Sequence, residues 1–160
     1  MPITADIVES WRRPRTVVRR LLARGASEPF ALSLLFTFLT LAFAAEAPFA
    51  AREATLNPQI PLIQRLFAAF LILLATIPLW YLLAAIGHWM ARLFGGTGTH
   101  YAARLALFWA LVAISPAMLL QGLAQGFLGV TPGATALGVV TLIAFLTFWI
   151  LMLQEVEHVS

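Results

Sequence analysis

The feature that most constrains this chain is a run of fifty consecutive residues, 105–154, without a charged side chain. Two shorter uncharged runs, 29–45 and 66–91, precede it. A helix needs about 17 to 25 apolar residues to cross the hydrocarbon core of a bilayer, and each run reaches that length. The chain is therefore expected to be built mainly of membrane-spanning helices.

Composition agrees with a membrane environment and excludes several kinds of chemistry. Of the 160 residues, 61% are hydrophobic and 11% are charged, whereas soluble domains carry about 25% charged residues. The sequence has no cysteine, which excludes disulfides, thiolate catalysis and cysteine-based metal sites. The length fits one compact bundle without a separate soluble domain.

Glycine and proline positions divide the apolar sequence into four spans. The long run must turn back once, and the segment 126–133 supplies three glycines and a proline for that turn. We predict an all-α polytopic membrane protein with four transmembrane helices and an N-terminal interfacial amphipathic helix. The predicted segments are a basic cytoplasmic segment 1–28, an uncleaved first span at about 29–47, further spans at about 62–90, 100–125 and 134–154, and a short cytoplasmic tail 155–160.

The N-terminal segment has an apolar stripe and a basic remainder. Its apolar residues recur at spacings of three or four, as in an amphipathic helix that lies in the headgroup plane. The stripe consists of Ile7, Val8, Trp11, Val18, Leu21 and Leu22. Pro14 predicts a break into two short helices, because proline cannot donate the intrahelical hydrogen bond.

Arginine distribution predicts the orientation and the lipid partner. Six of the ten arginines lie in the first 24 residues, and Arg92 and Arg104 fall on the same side of a four-span protein. Because cytoplasmic loops retain basic residues, both termini of this multi-pass protein are expected in the cytoplasm. Anionic lipid, and not nucleic acid, is the expected partner of these basic residues. The predicted contacts in the leader are Arg12, Arg13, Arg15, Arg19 and Arg20.

A glycine-rich loop between the second and third spans offers further contacts. Glycines expose backbone donors, and Thr99 is a suitable N-cap for the third span. The loop lacks the lysine and spacing of a nucleotide-binding P-loop. A lipid headgroup, the chain's own Glu155 and Glu157, and a simple turn with a helix cap remain alternatives. The residues predicted to contact anionic lipid or a partner here are Arg92, Gly95, Gly96, Gly98, His100 and Arg104.

Small residues indicate how the third span packs. Small side chains let membrane helices approach closely, and we expect this face to pack within the monomer, with a homodimer as the alternative. The predicted packing residues are Ala106, Ala110, Ala113, Ala117, Gly122 and Gly126. Pro78 and Pro116 predict kinks near the middle of spans two and three. Paired kinks can form a midplane site in transporters, and together with Gln121 and Gln125 they define the alternative hypothesis of a small transporter or channel subunit.

No catalytic, cofactor or metal site is predicted. The three histidines, His88, His100 and His158, lack metal-ligand spacing. The only serine within the long uncharged run, Ser115, precedes a proline inside a predicted span, which is not a nucleophile-elbow context.

Two segments carry a family resemblance: the leader from Trp11 to Leu22 (WRRPRTVVRRLL) and the motif from Leu93 to Gly98 (LFGGTG), followed by an uncharged helix pair interrupted by glycine and proline. With these features the chain resembles bacterial members of the Yip family, named for eukaryotic proteins that interact with Ypt/Rab GTPases. The resemblance implies a multi-span protein with a cytoplasmic leader that acts in membrane organisation. That family commonly has five spans, whereas four fit here, and bacteria have no Rab traffic. We therefore expect a non-catalytic membrane protein that organises or assembles other membrane components.

Overall fold

The computed structural model describes residues 3–158, and within that range the chain forms α-helices and no strand. Eight helices follow one another: α1 (Ile3–Ser10), α2 (Pro14–Leu22), α3 (Glu28–Leu56), α4 (Leu62–Ala75), α5 (Ile77–Leu93), α6 (His100–Ala113), α7 (Ser115–Leu128) and α8 (Pro132–His158).

Three helical segments are long and apolar enough to cross a bilayer. They are α3, the continuous stretch Leu62–Leu93 formed by α4 and α5, and α8. The pair α6 and α7 adds a fourth if it is counted as one span, although its two helices are bent by 43°. The prediction of an all-α polytopic membrane protein is confirmed.

Helix α3 continues beyond the predicted end of the first span at residue 47. It passes through Pro48 and ends at Leu56, so that its 29 residues extend over about 43 Å. The backbone around Ala45 and Pro48 lies directly against Gly122 and Gly126 of α7, where an added Cβ atom would overlap it. This close packing explains why the helix persists through a residue that usually weakens it.

Helix α6 lies at the centre of the protein. Every residue from Tyr101 to Ala113 is buried except Arg104. Its neighbours are α1, α2, α3, α5, α7 and α8. Of the predicted packing residues, Ala106, Ala110 and Ala113 are therefore buried together with the leucine and aromatic residues around the rest of α6, as expected for a helix that is apolar on all sides, whereas Ala117 lies in α7 and is half-buried.

The N-terminal segment is divided at Pro14, the first residue of α2, as its sequence predicts. Its apolar stripe packs partly on protein, because Val18 and Leu21, together with the neighbouring Val17, are almost completely inaccessible against α6 and α8. Val8 and Trp11, from the same stripe, remain 65% and 45% exposed. The segment is thus a packed part of the helix bundle, with a smaller exposed apolar surface.

Both predicted proline kinks correspond to helix breaks. Helix α4 ends at Ala75 before Pro78, and α6 ends at Ala113 before Pro116. In each case the proline is in the first turn of the following helix, where it has no intrahelical donor to lose. At the first break the hydroxyl of Thr76 donates to the carbonyl oxygen of Leu73 at 2.6 Å.

Candidate membrane and partner interface

The glycine loop makes a tight reversal between α5 and α6. Gly95 has a φ of +87°, a conformation that favours glycine, and the amide of Gly96 donates to the carbonyl oxygen of Ala91 at 2.9 Å. The loop ends at Thr99, whose hydroxyl oxygen accepts a hydrogen bond from the amide of Ala102 at 3.1 Å. Local chemistry therefore produces both the turn and the helix cap that the sequence predicts.

The carboxylate of Glu157, at the end of α8, lies inside this loop. Its Oε2 accepts a hydrogen bond from the amide of Gly98 at 2.9 Å, and its Oε1 is 2.6 Å from Nδ1 of His88. The amide of Thr97 donates to the backbone carbonyl oxygen of Glu157 at 3.0 Å. We call these four residues the Glu157 cluster. The side chains of His88 and Glu157 are 1% and 2% exposed.

Two glycines are needed for this close approach. A Cβ atom on Gly96 would lie 2.7 Å from Oε2 of Glu157, and one on Gly98 would lie 2.8 Å from the carbonyl oxygen of Val156. The backbone donor that a phosphate would use at Gly98 is already bound to a carboxylate of the same chain. The sequence left a lipid headgroup, the acidic residues Glu155 and Glu157, and a simple turn with a helix cap as alternatives for this loop. The structure shows a contact with Glu157, whereas Glu155 pairs with Arg19.

His100 completes the surroundings of the cluster. The ring centroids of His100 and His88 are 4.3 Å apart, with the ring planes tilted by 56°, and His100 is exposed. Within residues 3–158 there is no group of three or more side chains arranged to hold a metal ion. The cluster joins helix ends, and it offers no exposed nucleophile.

Four of the predicted contact arginines are paired within the chain. Arg19 pairs with Glu155, Arg104 with Glu28, and Arg20 with both Asp6 and Glu9. The guanidinium of Arg15 donates to Oε1 of Gln154 at 3.0 Å. The hydrogen bond with Glu9, with a further contribution from Asp6, raises the pKa of Arg20. The contacts of Arg15, Arg19 and Arg20 attach α2 to α1 and α8, and that of Arg104 attaches α6 to α3.

Three other predicted arginines are exposed. Arg12, Arg13 and Arg92 have no ion pair or side-chain hydrogen bond with any residue that the structure describes. Arg92 is followed by Leu93 and Phe94, each 84% exposed. An exposed apolar pair beside a free cation is the composition of a surface that contacts lipid headgroups or another protein.

The N-terminal segment also supplies contacts that sequence reasoning missed. The indole of Trp11 donates to the carbonyl oxygen of Ala113 at 2.9 Å, and the indole of Trp109 donates to the hydroxyl of Ser10 at 2.9 Å. The partners are separated by 102 and 99 residues, so no local pattern points to either bond.

Helices of this length and apolarity, arranged around one buried central helix, define a multi-pass membrane protein. The Yip1 domain family model matches residues 8–160, and the chain belongs to that family of membrane proteins. The sequence resemblance to the Yip family is thereby confirmed. No curated protein and no solved structure matches the chain.

Proposed function

We propose that this protein is a non-catalytic membrane protein that organises or assembles other membrane components, as a subunit or assembly factor of a larger complex. The observation that carries the proposal is the exposed segment Arg92-Leu93-Phe94. The Glu157 cluster fixes the loop directly after it against α8, so that the segment is presented on a rigid support. A rigid, exposed apolar pair beside a cation suits a partner better than it suits catalysis.

The polar groups inside the bundle support a non-catalytic role. The carboxylate of Glu157 is hydrogen-bonded to His88 and Gly98. The hydroxyl of Ser10 donates to the carbonyl oxygen of Asp6 and accepts from the indole of Trp109. A nucleophile or general base has to reach a substrate, whereas these groups are buried and joined to one another. Their arrangement is explained by the packing of helix ends.

The proposed setting is a bacterial inner membrane with both termini in the cytoplasm. Glu28, Arg104 and Glu157 mark the end of the bundle where α3 and α6 begin and α8 ends, and most arginines belong to this end. We call it the basic end. Arginine retention in the cytoplasm orients this end inward and allows Arg12, Arg13 and Arg92 to contact anionic headgroups.

The transporter alternative gains no support from the two helix breaks. At the break between α4 and α5, the hydroxyl of Thr76 donates to the carbonyl oxygen of Leu73 and accepts from the indole of Trp80 at 3.0 Å. At the break in α6–α7, the carbonyl of Ala113 is bonded to Trp11. A midplane site needs backbone groups available to a solute, and these groups already have partners.

Site-specific photocrosslinking in native membranes tests the proposed function. A photoreactive residue at Phe94 is expected to give a discrete protein adduct, and Arg92→Gln in the same chain should reduce its yield. The matched control is a photoreactive residue at Ile143, which is 58% exposed on α8 and should crosslink to lipid. Recovery of the chain alone from mild detergent, with no adduct at Phe94 and no bound anionic lipid, would contradict the proposal.

A further inference from the structure

A group of polar side chains without a role so far lies at the opposite end of the bundle, which we call the far end. There a cavity of about 570 Å³ opens between α3, α4 and α7. Glu46, Arg65, Gln121 and Gln125 line it. Pockets for small molecules commonly have volumes of about 300 to 1,000 Å³, so the space is sufficient for a ligand.

Two of the polar residues of the cavity, Glu46 and Gln121, lie at one depth, and Gln125 is one turn nearer the far end. Glu46 follows Glu28 by 18 positions along α3, which corresponds to about 27 Å of helix. The hydrocarbon core of a bilayer is about 30 Å thick, so Glu46 reaches its far boundary when Glu28 is at the near one. Gln121 shares that level, because Gly122 lies against the backbone of Ala45.

The apolar part of the cavity wall extends deeper into the membrane. Ile72 is about 10 Å farther along α4 than Arg65, toward the centre of the bilayer. Met118 and Ala42 are each about one turn deeper than Gln121 and Glu46 respectively. The cavity therefore has a polar rim at headgroup level and an apolar interior at the level of acyl chains.

The groups at the rim are available to a ligand. The carboxylate of Glu46 has neither a hydrogen bond nor an ion pair with any residue between 3 and 158, and no ion pair joins it to Arg65. The guanidinium of Arg65 donates through Nε and Nη2 to the carbonyl oxygens of Ile60 and Asn57, and its Nη1 has no bond to any residue in the described part of the chain. A free anion and a partly free cation thus line one cavity together with two side-chain amides.

We propose that this cavity binds one phospholipid whose headgroup carries both a phosphate and a primary ammonium group. Glu46 accepts hydrogen bonds from the ammonium group, Arg65 pairs with the phosphate, and the amides of Gln121 and Gln125 contact the glycerol esters. Charge-assisted hydrogen bonds of both signs select a zwitterionic headgroup over an anionic one. Helix α4, which forms one wall, has no buried residue and is therefore in contact with the lipids that would supply the ligand.

Native mass spectrometry of the full chain tests the proposal. The protein is released from micelles that contain equal amounts of phosphatidylethanolamine and phosphatidylglycerol with identical acyl chains. The wild-type chain is expected to retain one phosphatidylethanolamine with a preference of about tenfold. Glu46→Gln should abolish the preference, and Arg65→Gln should weaken retention of both lipids at this site.

The matched control is Glu53→Gln. This carboxylate is also on α3, but it accepts a hydrogen bond from Asn57 at 3.3 Å and does not line the cavity. It should leave the preference unchanged. Equal retention of the two lipids by the wild-type chain, an unchanged preference in Glu46→Gln, or an equal loss in Glu53→Gln would each overturn the proposal.

A second pair of variants covers the case in which Glu46→Gln fails to fold. Ala69→Phe fills the cavity and should displace phosphatidylethanolamine, whereas Leu71→Phe, on the same helix outside the cavity, should retain it. Retention of the lipid by Ala69→Phe would overturn the proposal. Phosphatidylglycerol bound near Arg92 at the basic end should persist in both variants, which separates this site from the interface of the proposed function.

Discussion

The indole nitrogen of Trp11 donates a hydrogen bond to the carbonyl oxygen of Ala113 at 2.9 Å, and so joins the α1–α2 connection to the break between α6 and α7. Ala113 is nine residues from Arg104, or about 13 Å along α6. The N-terminal segment therefore contacts α6 as far as its C-terminal end. The segment is part of the helix bundle, and Trp11 supplies a hydrogen bond to the carbonyl of Ala113 at the helix break.

Trp11→Phe is expected to lower the thermal stability of the protein in detergent. The ring still packs against Phe148, whose centroid is 5.2 Å from that of Trp11, but the carbonyl of Ala113 loses its donor. Such a partly buried unsatisfied group costs about 1 kcal/mol. The control is Trp89→Phe, since Trp89 is 68% exposed. Equal melting temperatures for the two variants would contradict a role for this bond.

Glu157→Ala is expected to release the glycine loop. The variant leaves the amide of Gly98 and the ring of His88 without their buried partner, at a cost of about 3 kcal/mol or more. Hydrogen exchange should rise at the backbone amides of residues 96–98, and the unfolding temperature should fall. Glu155→Ala, which removes a pair with the exposed Arg19, should cost less than about 1 kcal/mol. Similar exchange in both variants would show that the Glu157 cluster does not hold the loop.

Gly122→Ala is expected to separate α3 from α7. The new methyl group would overlap the carbonyl of Ala45, and shifting backbone at such a contact costs about 1 to 3 kcal/mol. Gly133→Ala is the control, because nothing lies within 4 Å of its added Cβ atom. That change should be neutral or slightly stabilising in a helix. Thermal unfolding of both variants in the same detergent measures the difference.

Arg92→Gln is expected to reduce retention of anionic lipid about fivefold, since an arginine near an anionic surface contributes about 1 kcal/mol. Arg104→Gln should have the smaller effect, because its guanidinium already pairs with Glu28. Lipid bound after purification in phosphatidylglycerol micelles provides the measurement. An equal decrease in the two variants would indicate that pairing with Glu28 does not withdraw Arg104 from lipid.

Single cysteines test the proposed orientation in a chain that has none of its own. Leu93→Cys lies at the basic end and Asn57→Cys at the far end. In intact bacterial cells an impermeant maleimide should label Asn57→Cys alone, and Leu93→Cys should react only after the cells are opened. The reverse pattern would place the basic end outside.

Much of the fold follows from local sequence. Ser27 caps α3 and Thr99 caps α6, because a hydroxyl before an apolar helical run accepts an amide hydrogen bond. The breaks near Pro14, Pro78 and Pro116 follow from the missing donor of proline. The length of each run of uncharged residues also predicts a membrane span.

The sequence offers Glu157 only as one alternative contact for the glycine loop, and it gives no sign of the other contacts that assemble the interface. The bond from Gly98 to Glu157 joins residues 59 positions apart, and that from Trp11 to Ala113 joins residues 102 positions apart. Charge alone does not distinguish Arg104, which is paired, from Arg92, which is free. Which arginine finds a carboxylate depends on how the helix ends meet, and only the folded chain determines that.

The absence of any buried residue in α4 determines how the protein has to be handled. Among the described helices α4 contacts only α3 and α5, so the lateral pressure of surrounding acyl chains contributes to its position. A micelle exerts less of that pressure than a bilayer does. Structural and binding measurements on this part of the chain should therefore depend on whether the protein is studied in a native-like membrane disc or in a soluble surfactant.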